Sequence, residues 1–415
     1  MTDIPTENIK TADIEPSKKW PTLFLSAAAI FLAMGLWFSA SVVVPTLSDL
    51  WVLDDAGRAG LTISVQIGFV VGSVISALLN LADRIRSRYL ITVSVFLAAL
   101  CTALIAAFVN SLIPALVLRF LTGLFMVGVY PVLMKLIATW TKADRGLGIG
   151  LLTGALTVGS ASPNLLAALG GIDNWRLVLF LAAAFASFGG AIVFLFIHEG
   201  PYGGLATSFD WKYAAQIFRI KELRLANMGY LGHMWELFAM WAWVGLFLSA
   251  SFKISGLEPY WASLTTFIVI AAGGIGSVLA GLLADRFGRT VITIVSLLVS
   301  GICAVLVGFL FGAHPALLTT ICLIWGFTVV ADSAQFSAAI SELCQKEYIG
   351  TALTIQTSLG FLLTVITIRI IPSLVSRFSW QSAFALLALG PAVGIWAMYS
   401  LRRTPAASKM AGGSK

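Results

Sequence analysis

Apolar residues run along this chain in long stretches, broken by short polar segments that carry most of its charge. Crossing some 30 Å of hydrocarbon takes about 20 predominantly apolar residues, because lipid cannot satisfy a free N–H or C=O and the helix must satisfy them internally. Stretches of that length recur at 20–46, 59–82, 89–110, 112–139, 146–169, 176–198, 225–251, 259–283, 290–312, 315–340, 349–371 and 381–401. The pattern predicts an all-α polytopic membrane protein with twelve transmembrane helices.

The polar segments divide the chain. A tail at 1–19 precedes six spans over 20–198, a longer connection covers 199–224, six more spans occupy 225–401, and a second tail follows at 402–415. The first tail is polar and contains Lys10, Lys18 and Lys19, with no short apolar core, so no removable signal peptide is expected. The connection interleaves Phe209, Trp211, Tyr213, Ile217, Phe218 and Ile220 with Lys212, Arg219, Lys221 and Arg224, which predicts an interfacial helix, with a plain linker as the alternative.

Composition agrees with lipid as the main solvent: 59% of residues are hydrophobic and 11% charged, against roughly 25% charged in soluble domains. Charge also sets an orientation. Of 26 Lys and Arg, Arg58, Arg176, Lys253 and Arg377 fall on one side, Arg369 sits near that end of a span, and Arg119 and Lys135 lie within spans; the other nineteen fall on the side of the termini. The positive-inside rule therefore places both termini in the cytoplasm of a plasma (inner) membrane. Juxtamembrane basic residues attract anionic lipid, so the net charge of +7 calls for no nucleic-acid partner. Cys101, Cys303, Cys322 and Cys344 show neither a metal spacing nor a disulfide framework and read as packing residues. No cofactor or metal is expected, and the chain reads as a monomer.

The chain also repeats itself. Leu81-Ala82-Asp83-Arg84 at the end of the second span returns as Leu283-Ala284-Asp285-Arg286 at the end of the eighth, an offset of 285 minus 83, or 202. Asn174-Trp175-Arg176 before the sixth span returns as Ser379-Trp380-Gln381 before the twelfth, an offset of 205. Two landmarks at nearly one spacing indicate a duplicated six-span unit, and parallel repeats of this kind place a substrate site near the midplane between the halves.

Gly281-Leu282-Leu283-Ala284-Asp285-Arg286-Phe287-Gly288-Arg289 resembles the signature loop of the major facilitator superfamily, and the resemblance extends over about 20–401. The first copy departs from it, with Leu79 and Arg86 where the family usually has glycines. Arg119-Phe120-Leu121-Thr122-Gly123 resembles the family's second motif. Gly159, Pro163 and Gly170-Gly171 resemble the fifth-span motif of its efflux antiporters, with Ser162 in place of the glycine before the proline.

The resemblance implies two pseudo-symmetric six-helix halves and secondary transport by alternating access. It implies gating roles for Asp83, Arg84, Asp285, Arg286, Gly288 and Arg289. Physically, a carboxylate at the end of the second or eighth span can face free N–H groups at a helix N-terminus in the other half. Asp83 would meet the eleventh span near Gly350, and Asp285 the fifth near Gly146. Alternatively these turns only anchor loops.

Ionisable groups within spans cost a few kcal/mol or more each, so they mark cavities and pathways. Glu236 lies near the middle of the seventh span, with His233 three residues earlier on the same face. Such a pair is a candidate for proton coupling or, alternatively, a structural His–Glu hydrogen bond. Asp332 in the tenth span is a third candidate. Lys135 in the fourth span sits at a similar depth, which allows an inter-half pair with Asp332 that alternates with substrate or, alternatively, a fixed pair or a Lys135 that snorkels to the inner headgroups. Arg119, Lys135, Trp37, Gln335, Gln356 and Trp243 are candidate walls of a substrate cavity. Arg119 and Lys135 favour an anion, whereas Glu236 and Asp332 favour a cation.

The reading that follows is proton-coupled uptake of an organic anion or polar metabolite, with proton-driven efflux of amphiphilic compounds as the alternative. The family's nitrate carriers have an arginine in each of the second and eighth spans; 59–82 and 259–283 contain none, which disfavours that substrate. Three separated histidines provide neither a nucleophile–base set nor a metal site, so no enzyme is expected. The short tails also provide no output domain for a sensor.

Overall fold

The structure is a computed structural model that describes residues 16–141, 145–170, 174–202, 213, 217–345 and 348–414. Twelve of its helices are long and apolar enough to cross a membrane: α1 (Lys18–Val42), α2 (Asp55–Leu79), α3 (Ser87–Phe108), α4 (Leu112–Ala138), α5 (Gly148–Leu169), α6 (Trp175–Phe196), α7 (Lys221–Ile254), α8 (Pro259–Phe287), α9 (Arg289–Phe309), α10 (Pro315–Leu343), α11 (Ile349–Arg377) and α12 (Trp380–Arg402). No strand occurs among the described residues. Local chemistry sets several boundaries. Asp54 accepts a hydrogen bond from the Gly57 amide at 2.7 Å to start α2, and prolines open α8 and α10.

Two helices are interrupted. The segments of α4, Leu112–Met126 and Tyr130–Ala138, part around Gly128; those of α10, Pro315–Ala331 and Ser333–Leu343, part at Asp332. Applying the repeat offset of 202, Asp332 corresponds to Tyr130, so the two breaks fall at matching positions.

The packing scheme repeats with the sequence. In the first half α1 lies on α5 and α6, α2 on α4, and α3 on α4 and α6; in the second, α7 lies on α11 and α12, α8 on α10, and α9 on α10 and α12. The halves join chiefly through α5 on α8 and α2 on α11. Glycine permits the first of these joints, since a Cβ on Gly274 would lie 2.9 Å from the Gly154 carbonyl oxygen.

At the end remote from the termini the halves touch, with Ser376 of α11 donating to Asp55 of α2 at 3.1 Å. At the terminal end α5 still lies on α8, where a Cβ on Gly150 would meet Val278 at 3.9 Å. From Val74 to Arg84 no residue of the α2 end is buried, and Leu282, Leu283, Asp285, Arg286 and Phe287 at the end of α8 are exposed.

After α12, a 3₁₀ stretch at Pro405–Gly413 buries Ala407 and Met410, and the Ala411 amide donates to Glu342 of α10 at 3.2 Å. Cys101, Cys303 and Cys322 are buried free thiols. The interfacial helix predicted within 199–224 falls largely outside the described residues, as does most of the first tail.

Candidate functional site

The period of α7 puts His233 and Glu236 on one face, a turn apart, and both side chains are 1% exposed. They take different partners. Glu236 is held by neutral donors, Trp325 Nε1 at 2.7 Å and Ser300 Oγ at 2.9 Å. His233 turns toward the break in α10, where its Nε2 lies 2.7 Å from Ser333 Oγ and its Nδ1 2.8 Å from Asp332 Oδ1. The His–Glu bond raised as the alternative is not formed; His233 makes a contact with Asp332 instead, because the interrupted turn brings Asp332 against α7. That contact lies off the line of a hydrogen bond, and neither Asp332 oxygen has an aligned donor among the described residues, although the side chain is 1% exposed.

The expected pairing of Lys135 with Asp332 does not occur. Lys135 Nζ binds Asp83 and, at 2.7 Å, the Ala82 carbonyl. The reason is packing: α4 lies against α2 of its own half, and that helix end supplies the nearest carboxylate. Asp83 thus meets Lys135 where Gly350 had been expected. The predicted meeting of Asp285 with Gly146 falls outside the described side-chain surroundings; Asp285 is exposed and 3.6 Å from Arg289.

Arg119 is also not a cavity wall. It is 0% exposed, and its guanidinium donates to the carbonyls of Leu36 at 2.7 Å, Leu61 at 3.2 Å and Trp37, fastening α1 to α2. Trp243 joins α7 to α11 by donating to the Ile368 carbonyl at 3.1 Å. Gln335 accepts from Arg289 at 2.8 Å in a network at the terminal end of the second half, where Arg289 also grips both oxygens of Glu342 at 2.7 and 2.6 Å. Nearby, Gly288 turns the chain at φ 94°, and Arg286 lies over the Phe287 ring. Arg84 is exposed.

Gln356 is buried on α11 one turn before Gly360, and Trp37 does lie where the halves meet. Six rings from four helices cluster there: Trp37 and Phe38 of α1, Phe69 of α2, Phe238 and Trp241 of α7, and Phe361 of α11. Phe69 and Phe361 approach to 4.6 Å across the halves. Tyr230 of α7 lies edge-on to Phe336 of α10, ring centroids 6.2 Å apart. Its ring lies where a Cβ on Gly360 would come within 2.5 Å, so only glycine fits there.

Gln66, Tyr130, Tyr230 and Glu342 were not singled out from the sequence. For Gln66 a signal exists, since it is the one amide within α2, Asp55–Leu79.

The Major Facilitator Superfamily model matches residues 25–330 and 226–414, which together span nearly the whole chain. The chain belongs to the Major Facilitator Superfamily. No curated protein matches it in sequence. Among solved structures, this superfamily member is similar to a point mutant of the nucleoside transporter NupG, with a TM-score of 0.71 at 14% identity, covering 92% of this chain and 99% of that one. It is also similar to a bacterial homologue of the human lysosomal transporter Spinster in an inward-facing, unoccupied conformation, with a TM-score of 0.65 at 14% identity, covering 93% and 96%. At these identities the likeness carries the fold. The family match makes the chain a multi-pass membrane transporter.

Proposed function

We propose that this transporter couples the uptake of a small polar solute to protons by alternating access, with His233 and Asp332 as the coupling pair. The observation that carries the reading is Asp332 itself, a carboxylate sealed from solvent at a helix break, 2.8 Å from an imidazole and without an aligned donor among the described residues. Structural carboxylates at such depth are normally satisfied, and unsatisfied ones point to work. Ser333, only partly buried, touches the far nitrogen of His233 at 2.7 Å. Glu236, with both oxygens occupied, is second in line as a proton carrier.

The case for an anion rests on Arg119 and Lys135, and both are engaged by the protein itself, which favours a polar solute over an anionic one. The basic residues favour cytoplasmic termini in the plasma membrane. The chain is taken to work as a monomer. Proteoliposomes enclosing a pH-sensitive dye test the function: addition of a transported solute from a metabolite panel is expected to acidify the lumen together with solute entry. Solute entry without any proton movement would refute the coupling.

A further inference from the structure

The ring cluster is accompanied by polar atoms that the protein leaves unused. Gln66, 0% exposed, and Gln356, 1% exposed, have no hydrogen-bond partner for either amide atom among the described residues, and neither does Nε1 of Trp37 or Trp241. Gln66 is one turn from Phe69 on α2, on the same face. Gln356 is five residues from Phe361 on α11, about 140° around the helix from it, and shares a face with Gly360, which packs on Tyr230 and Met234 of α7. Both helices belong to the joint between the halves.

Native proteins leave few buried polar groups unpaired. Here Gln66 and two indole N–H groups lie beside the rings where the halves meet, and Gln356 lies one turn from Gly360, on the face of α11 that packs on Tyr230 and Met234 of α7. The charged side chains buried in the spans are directed elsewhere: Arg119 into backbone carbonyls, Glu236 into Trp325 and Ser300, and Asp332 against His233.

We infer that this joint binds an uncharged, planar solute whose edge carries both hydrogen-bond donors and acceptors, such as a carboxamide or a heterocyclic lactam. Ring faces of Trp37, Phe69 and Phe361 stack on the plane. A primary carboxamide both donates and accepts, so Gln66 and Gln356 read a mixed edge that neither a carboxylate nor an ammonium group presents. Tyr230, whose ring centroid lies 6.2 Å from that of His233, connects the solute's place to the coupling pair. The inference rests on the proposed transport function but names the solute class independently of the coupling.

Isothermal titration of the purified full chain in detergent tests it with four probes: nicotinamide and uracil as uncharged planar molecules, benzoate as a planar anion and tetraphenylphosphonium as a lipophilic cation. The uncharged pair is expected to bind more tightly than the charged pair. Gln66→Leu and Gln356→Leu are each expected to weaken that binding by about tenfold or more, while leaving the thermal midpoint unchanged or raising it, because each removes an unpaired buried amide. Should a leucine variant fail to fold, Gln66→Asn and Gln356→Asn replace it, with an intermediate loss expected. The titration is run without a pH gradient, so loss of this site and loss of coupling are read separately. The inference is overturned by tighter binding of benzoate or tetraphenylphosphonium. It is equally overturned by no binding of either uncharged probe at millimolar concentration, by glutamine variants that bind as the native chain does, or by a lowered midpoint in folded leucine variants.

Discussion

The two halves share one packing scheme and one pair of helix breaks, yet they bury charge differently. In the first half the buried ion is Arg119, spent on the backbone carbonyls of α1 and α2. In the second, His233, Glu236 and Asp332 gather between α7, α9 and α10, and only Glu236 has both oxygens satisfied by aligned donors. At the matching break the first half has Tyr130 where the second has Asp332. Duplication thus supplies the frame, and the chemistry comes from where the copies diverge.

The largest expected effect breaks the first half. Arg119→Met leaves three buried carbonyls without their charged donor and should cost about 3 kcal/mol or more, since bonds to charged groups count for more than neutral ones. Arg119→Lys should recover little, because an ammonium lacks the planar fork that reaches three acceptors. Denaturation in mixed micelles measures both, and an unchanged midpoint in Arg119→Met would remove the clamp.

The next effect sharpens the contrast within the second half. Glu236→Ala strands the Trp325 N–H, at about 1–3 kcal/mol, while the Ser300 hydroxyl keeps the Leu297 carbonyl at 3.2 Å. Asp332→Asn should be close to neutral for stability, because no aligned donor is lost. Equal destabilisation by the two changes would erase the distinction between a satisfied and an unsatisfied carboxylate.

The network at the terminal end comes third. Arg289→Ala removes a bidentate, partly buried pair with Glu342 and loosens the Pro405–Gly413 stretch that docks on the same carboxylate. About 1 kcal/mol is expected, with faster proteolysis of the tail as the readout. The smallest effect belongs to Lys135 and Asp83, whose exposure of 41% and 24% leaves the pair open to solvent. Asp83→Asn should change stability by less than about 1 kcal/mol, and that small change should shrink further in high salt.

The fold was legible because its causes are one-dimensional: span length follows from membrane thickness, and the duplicated Asp-Arg turns announce the two halves. The buried acids were legible for the same reason, since Glu236, His233 and Asp332 stand out in apolar runs. Their partners were not. Helical period places His233 and Glu236 on one face but does not say that the α10 break would turn His233 toward Asp332, or that Lys135 would find its carboxylate inside its own half. Arg119 looked like a substrate ligand because a lone charge in a span carries no mark of the carbonyls that will receive it. Gln66 was passed over because uncharged amides draw less notice than ions, although here they are the groups left unpaired.

The most direct test of coupling at the α10 break compares Asp332→Asn with Glu236→Gln in proteoliposomes under an imposed pH gradient, once a transported solute is in hand. Asp332→Asn is expected to bind and exchange the solute yet lose gradient-driven accumulation, while Glu236→Gln retains part of it. Full accumulation by Asp332→Asn, with Glu236→Gln inactive, would contradict the assignment and move the coupling proton to Glu236.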